Sequence, residues 1–179
     1  GINSPRVLLV GAGKHGSTTE NDFNTASIAM AKWLNESAAR SAISCLAEIP
    51  VGERDAAWKV RQTAINTETA LYKYSQTKSQ FTPVDKPLEK LGFFASSSEQ
   101  KAFEQAAKTG AAIGHGMNLA RELGNLPGNI CTPTYLAEQA LKLGQQYPSV
   151  KVDVLEEEDM AELGMGSLLS VSRGSRQPA

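Results

Sequence analysis

Apolar positions along this chain fall into two alternating kinds of segment. Short unbroken runs, RVLLV at 6–10 and AISCLA at 42–47, end in turn residues and predict interior strands of a largely parallel sheet. LEKLGFFA at 88–95, residues 150–155 and GSLLSVSRG at 166–174 read as further strands. Between them the period lengthens to three or four residues. Phe23, Ala26, Ile28, Ala29, Ala31, Trp33 and Leu34 predict a helix over 20–35, opened by a capping box of Thr19 and Asp22. Trp58, Arg61, Ile65, Thr69 and Tyr72 predict a second over 55–74. Phe103, Ala107, Gly110, Ile113, Met117, Ala120 and Leu123 give the longest, over 97–123. Thr132 as N-cap and Pro133 in the first turn open another, running to Gln146. A short acidic helix follows at 156–163, and SQTKSQFTPVDKP at 75–87 is a loop. Alternation of strand with helix predicts an α/β fold with helices covering the sheet. No segment repeats at a fixed period.

Punctuation refines this outline. Glycines at 110, 114 and 116 weaken the long helix by about 1 kcal/mol each relative to Ala, which predicts a neighbour packed closely against it. RELGNLPGNICTPTYLAEQA at 121–140 is broken by Gly124, Pro127, Gly128 and Pro133 and predicts a stiff bend. Asn125 and Asn129 flank Pro127 there, where their amides are expected to satisfy nearby backbone groups. The chain opens at Gly1 without an initiating Met and runs almost at once into a strand signal, so further sequence is expected ahead of it. RGSRQPA at the other end offers no helix to cover the last strand. The second α/β unit therefore reads as unfinished, with 167–172 an open edge inviting aggregation.

Composition narrows the function classes. At 179 residues, 41% hydrophobic and 21% charged, the chain can bury roughly 70% of its unfolded surface, and disordered, collagen-like and coiled-coil classes drop out. A formal net charge of −1 leaves no footprint for nucleic acid or an anionic membrane. Lys59, Arg61, Lys73, Lys78, Lys86 and Lys90 tint the middle third basic, but Glu53, Asp55, Glu68, Asp85 and Glu89 are interleaved with them. Cys45 and Cys131 are the only cysteines, too few for a disulfide framework or a zinc spacing, and a reducing cytoplasm is the expected setting. Neither a membrane span nor a signal peptide is readable.

Each chemical motif has a plainer structural reading. Residues 11–16, GAGKHG, spell G-x-G-x-x-G after a strand, the turn that in dinucleotide-binding units brings pyrophosphate to a helix N-terminus. Here Ser17, Thr18 and Thr19 delay the helix, and Glu48 lies beyond the usual ~20-residue spacing, so an ordinary strand-to-helix turn is expected. Lys14 lacks the glycine six positions earlier that a P-loop requires. His15 reads as a surface loop residue. His115, without a second ligand at i+4, reads as a packed or solvated helix residue. Neither a histidine metal site nor a Ser-His-Asp triad can be assembled. Acids at 156–159 favour the positive end of a helix dipole by ~0.3 to 1 kcal/mol each, the expected reading over cation binding. Any catalytic chemistry must then come from residues outside these.

Four blocks resemble one family. LARELGNLPGNICTPTYLAEQA at 119–140 is similar to the segment joining the two domains of the cytosol (leucyl) aminopeptidases, with its Asn-x-Pro-x-Asn core and Thr-Pro helix start. RVLLVGAGK at 6–14 and AAWKVRQTAINTETALYKY at 56–74 resemble its N-terminal domain, and ELGMGSLLSVSRGS at 162–175 the start of its catalytic domain. The resemblance implies a macro-domain-like α/β domain over 1–97 lacking its first strands. An interdomain helix would follow over 98–123, and the beginning of an aminopeptidase-like α/β domain over 124–179. For the parent protein it implies a cytoplasmic homohexamer. There, two Mn or Zn ions activate water and polarise the scissile carbonyl of peptide substrates, releasing an N-terminal residue, commonly Leu. The family's KGxxFD and NTDAEGR motifs do not occur here, so no catalytic, metal or cofactor-binding residue carries over, and the chain alone is expected to be inactive. A DNA- or nucleotide-binding role for the N-terminal domain is the alternative, though charge does not favour it.

Overall fold

The computed structural model describes residues 4–14, 16–84 and 87–177. Its contacts divide into two compact units, Gly1–Arg121 and Glu122–Ala179.

In the first unit, α1 (Glu20–Glu36) starts where Thr19 Oγ1 accepts from the Asp22 amide while Asp22 Oδ2 accepts from the Thr19 amide at 2.9 Å. This is the predicted capping box, and it satisfies orphan donors at the helix start. α1 buries Phe23, Ala26, Met30, Ala31 and Leu34, while Trp33 stays half exposed. β1 (Ser41–Ser44) is shorter than its apolar run, because the chain leaves the ladder after Ser44 and closes a 3₁₀ turn over Leu46–Glu48. That turn buries Leu46 and Ala47. α2 (Ala56–Leu71) starts at Asp55, whose Oδ1 accepts from the Trp58 amide at 2.6 Å. β2 (Lys90–Phe93) pairs with β1 in parallel, Ser41 opposite Lys90 and Ser44 opposite Phe93. The core gathers Phe23, Met30, Leu34, Leu46 and Val51, with Ala47, Val60 and Phe103 beside it.

The expected strand at 6–10 has no ladder partner among the described residues. Leu8 and Val10 pack inward while Val7 and Leu9 stand exposed, the period-2 pattern of an extended segment covered on one face, not of a strand buried on both. The described sheet thus has two strands. α2 lies where expected but turns a different side inward. Lys59, Val60, Thr63, Ala64, Asn66 and Thr67 are buried, while Arg61 is exposed and Trp58, Ile65, Thr69 and Tyr72 only partly covered. Of the stripe of larger residues only Trp58 meets an α1 ring, Phe23, and much of the rest of the α1–α2 contact is made by small and polar side chains.

α3 (Gln100–Asn125) is held by the close neighbour its glycines predicted. A Cβ at Gly110 would lie 2.4 Å from the Arg61 carbonyl oxygen and 2.7 Å from Ala64 Cβ, and one at Gly114 would lie 2.5 Å from Glu68 Cβ. Gly116 faces open space, so packing does not account for it. Asn118 Nδ2 donates to the Glu68 carbonyl and Arg121 Nη1 to the Thr69 carbonyl, both at 2.9 Å, capping acceptors in the last turn of α2.

In the second unit, α4 (Pro133–Gln146) starts as predicted, with Thr132 Oγ1 accepting from the Tyr135 amide. The bend before it is closed by backbone: the amides of Ile130 and Cys131 both donate to the Pro127 carbonyl, at 2.9 and 3.0 Å. The expected strand at 150–155 is extended without a ladder, and Val152 rests against Gly144 of α4. α5 (Glu157–Glu162) is the acidic helix. Gly164, at φ +73°, reverses the chain after it, and the Met165 amide returns to the Met160 carbonyl. The expected final strand at 166–174 is instead a helix, α6 (Gly166–Ser172). A short apolar run satisfies either period. Among the described residues no strand pairs with this segment, and the hydroxyls of Ser170 and Ser172 donate back to the carbonyls of Ser167 and Leu169. The open sheet edge expected at 167–172 therefore does not exist.

Two glycines give opposite expected outcomes. Gly110→Ala is expected to lower the unfolding free energy by about 1–3 kcal/mol, since the new methyl meets backbone that must move. Gly116→Ala is expected to raise it by about 0.5–1 kcal/mol through helix propensity. Urea midpoints of the two variants check this, and equal midpoints would contradict the close crossing. In the α1 capping box, both Thr19 hydrogen bonds hold the Asp22 carboxyl below its ordinary pKa of 3.8. A depressed carboxylate stabilises the fold above that value, and the contribution is lost as pH falls through the lower folded pKa. Acid titration of helical circular dichroism should show wild type losing this difference from Asp22→Asn below pH 3.8.

Candidate functional site

The concavity nearest to sequence-predicted chemistry lies where β1 ends. Ala12, Gly13, Thr18, Cys45, Glu48 and Pro50 line an open cleft of about 330 Å³. Ligands of α/β proteins commonly sit beyond the carboxyl ends of parallel strands. Gly13 and Gly16 take φ values of +84° and +77°, so these two positions need glycine for backbone conformation. Thr18 Oγ1 donates across the turn to the Ala12 carbonyl at 3.3 Å, and the Ser17 amide and hydroxyl both donate to the Lys14 carbonyl. His15 lies outside the described residues.

This geometry opposes a pyrophosphate. α1 begins four residues after Gly16, and its first turn is occupied by the Thr19–Asp22 box. Glu20 sits beside it, held by Arg54 Nε at 2.7 Å, and Glu48 adds another carboxylate at the cleft. An anion would meet acids where a dinucleotide site presents free amides. Cys45 is exposed just past β1, and no histidine or other base is hydrogen-bonded to it among the described residues.

Other candidates are engaged structurally. His115 is solvated on α3, with Nε2 3.1 Å from Glu68 Oε2 on α2. In the acidic run, the Glu156 amide donates to Asp159 Oδ2 at 2.9 Å, so the acids cap α5. Arg40 pairs with Glu89, Arg54 with Glu20 and Lys108 with Glu104, and Arg54 also lies 5.0 Å over the Trp58 ring. Lys59, one of the residues that tint the middle third basic, is 7% exposed and donates from Nζ to the Ile49 carbonyl at 2.8 Å. Burial lowers its pKa, with Asp55 opposing the shift. Sequence reasoning also missed the polar cluster between α1 and α2. Asn66 Nδ2 donates to Asn24 Oδ1 and Ser27 Oγ, at 2.9 and 2.6 Å, and Gln62 Nε2 donates to Asn66 Oδ1. The signal was present in Lys59, Thr63, Asn66 and Thr67, polar residues repeating on one helical face.

No group of three His, Cys, Asp or Glu side chains able to hold a metal ion occurs among the described residues. They do not fit a divalent centre. No helix among them is long and apolar enough to cross a membrane.

Parallel strands linked through a covering helix, with a long helix following, define an α/β protein. Residues 1–80 match the model of the cytosol aminopeptidase family's N-terminal domain, and residues 118–179 that of its catalytic domain. Probable cytosol aminopeptidases of Thioalkalivibrio sulfidiphilus and Nitrosospira multiformis are 45% and 46% identical, each over 97% of this chain and 35% and 34% of theirs. Among solved structures, the bottromycin maturation enzyme BotP in complex with Mn aligns at a TM-score of 0.76 and 28% identity, over 94% of this chain and 34% of that one. A mutant tomato leucine aminopeptidase aligns at 0.77 and 25%, over 94% and 33%. The chain belongs to the cytosol aminopeptidase family. It spans about a third of the length of these relatives.

Because carboxylates occupy the start of α1, millimolar NAD is expected to leave the melting temperature unchanged. A reproducible rise would restore the dinucleotide reading of residues 11–16.

Proposed function

We propose that this chain is part of a metal-dependent leucyl aminopeptidase that releases N-terminal residues, preferentially Leu, from peptides. One observation carries the proposal: models of two domains of a single peptidase family match in order along the chain, at 1–80 and 118–179. Residues 1–97 would form the N-terminal domain, 98–123 the interdomain helix and 124–179 the start of the catalytic domain. The ligands for two divalent ions, Mn or Zn, would be supplied by residues outside the 179. Manganese draws support from the Mn complex of the BotP neighbour. Bound there, such ions would activate water and polarise the scissile carbonyl. A cytoplasmic homohexamer is the assembly and setting the proposal adopts, the setting in line with the relatives' names.

The test uses the full-length protein and leucine p-nitroanilide. Chelation is expected to abolish hydrolysis, added Mn or Zn to restore it, and the N-acetylated substrate to be refused because its α-amine is blocked. Chelator-resistant hydrolysis, or equal cleavage of the acetylated substrate, would overturn the reading. The 179-residue chain with either metal is expected to show no turnover. Measurable release by it would place the reacting groups within these residues.

A further inference from the structure

We draw no further inference here: the strongest candidate, the apolar surface patch left by Leu9, Ile43 and Phe94 around the β1–β2 sheet, carries nothing because nothing in the structure shows what covers it.

Discussion

A Cβ on Gly110 would sit 2.4 Å from the Arg61 carbonyl oxygen, so α3 can lie on α2 only because no side chain separates the two backbones. Residue types that are poor for an isolated helix thus become the condition for its docking. Close approach also brings Asn118 and Arg121 within reach of the last carbonyls of α2, where a longer separation would leave those acceptors to water. The crossing is therefore fixed at two levels, by steric exclusion at Gly110 and Gly114 and by directed hydrogen bonds one turn further on. Phe103, buried against Val60 and Ala47 near the other end of α3, sets its direction.

The opposite side of α2 is governed by a different constraint. Asn66 is 6% exposed and Ser27 is fully buried, so their polar atoms had to find partners within the protein. They find each other, with Asn24 and Gln62 completing the set, and among the described residues no buried side-chain donor or acceptor is left unpaired. Hydrophobic burial alone tolerates sliding between helices, whereas a shared amide does not. A one-residue slip of α2 against α1 would separate Asn66 from both acceptors, at roughly 1–3 kcal/mol for each buried group left unsatisfied. Phe23, packed at 5.9 Å against Trp58, supplies the apolar part of the same contact.

Local chemistry explains what the sequence could disclose. Thr19 with Asp22, and Thr132 with Pro133, are read within four residues of each helix start, and both helices begin where these caps place them. The parallel pairing of β1 with β2 follows from alternation of strands and helices, so the fold class was equally open to reading. Which face of α2 turns inward was not, because it depends on the polar side chains of α1 as much as on its own. Residues 166–172 could be read as strand or helix until a pairing partner was known. Candidate chemistry was legible mainly in the negative. Spacing alone argued that Gly11 to Gly16 form a turn, and the structure adds the reason: the α1 N-terminus is already occupied by carboxylates. Lys59 could not be placed from sequence, since its burial depends on the 3₁₀ turn that presents the Ile49 carbonyl.

Residues 122–179 are organised by another balance. α4 has no buried residue, and α5 and α6 are only 6 and 7 residues long, well below the ~12–15 at which an isolated helix becomes marginally stable. Their start and stop signals are nevertheless strong: the Thr132 cap, the Glu156–Asp159 box and the left-handed Gly164. Met160, 4% exposed, is the buried apolar residue of α5, and a long 3.5 Å contact from Ser172 to Glu157 joins α6 to α5. Local signals of this kind choose where a helix begins without supplying the energy that holds it.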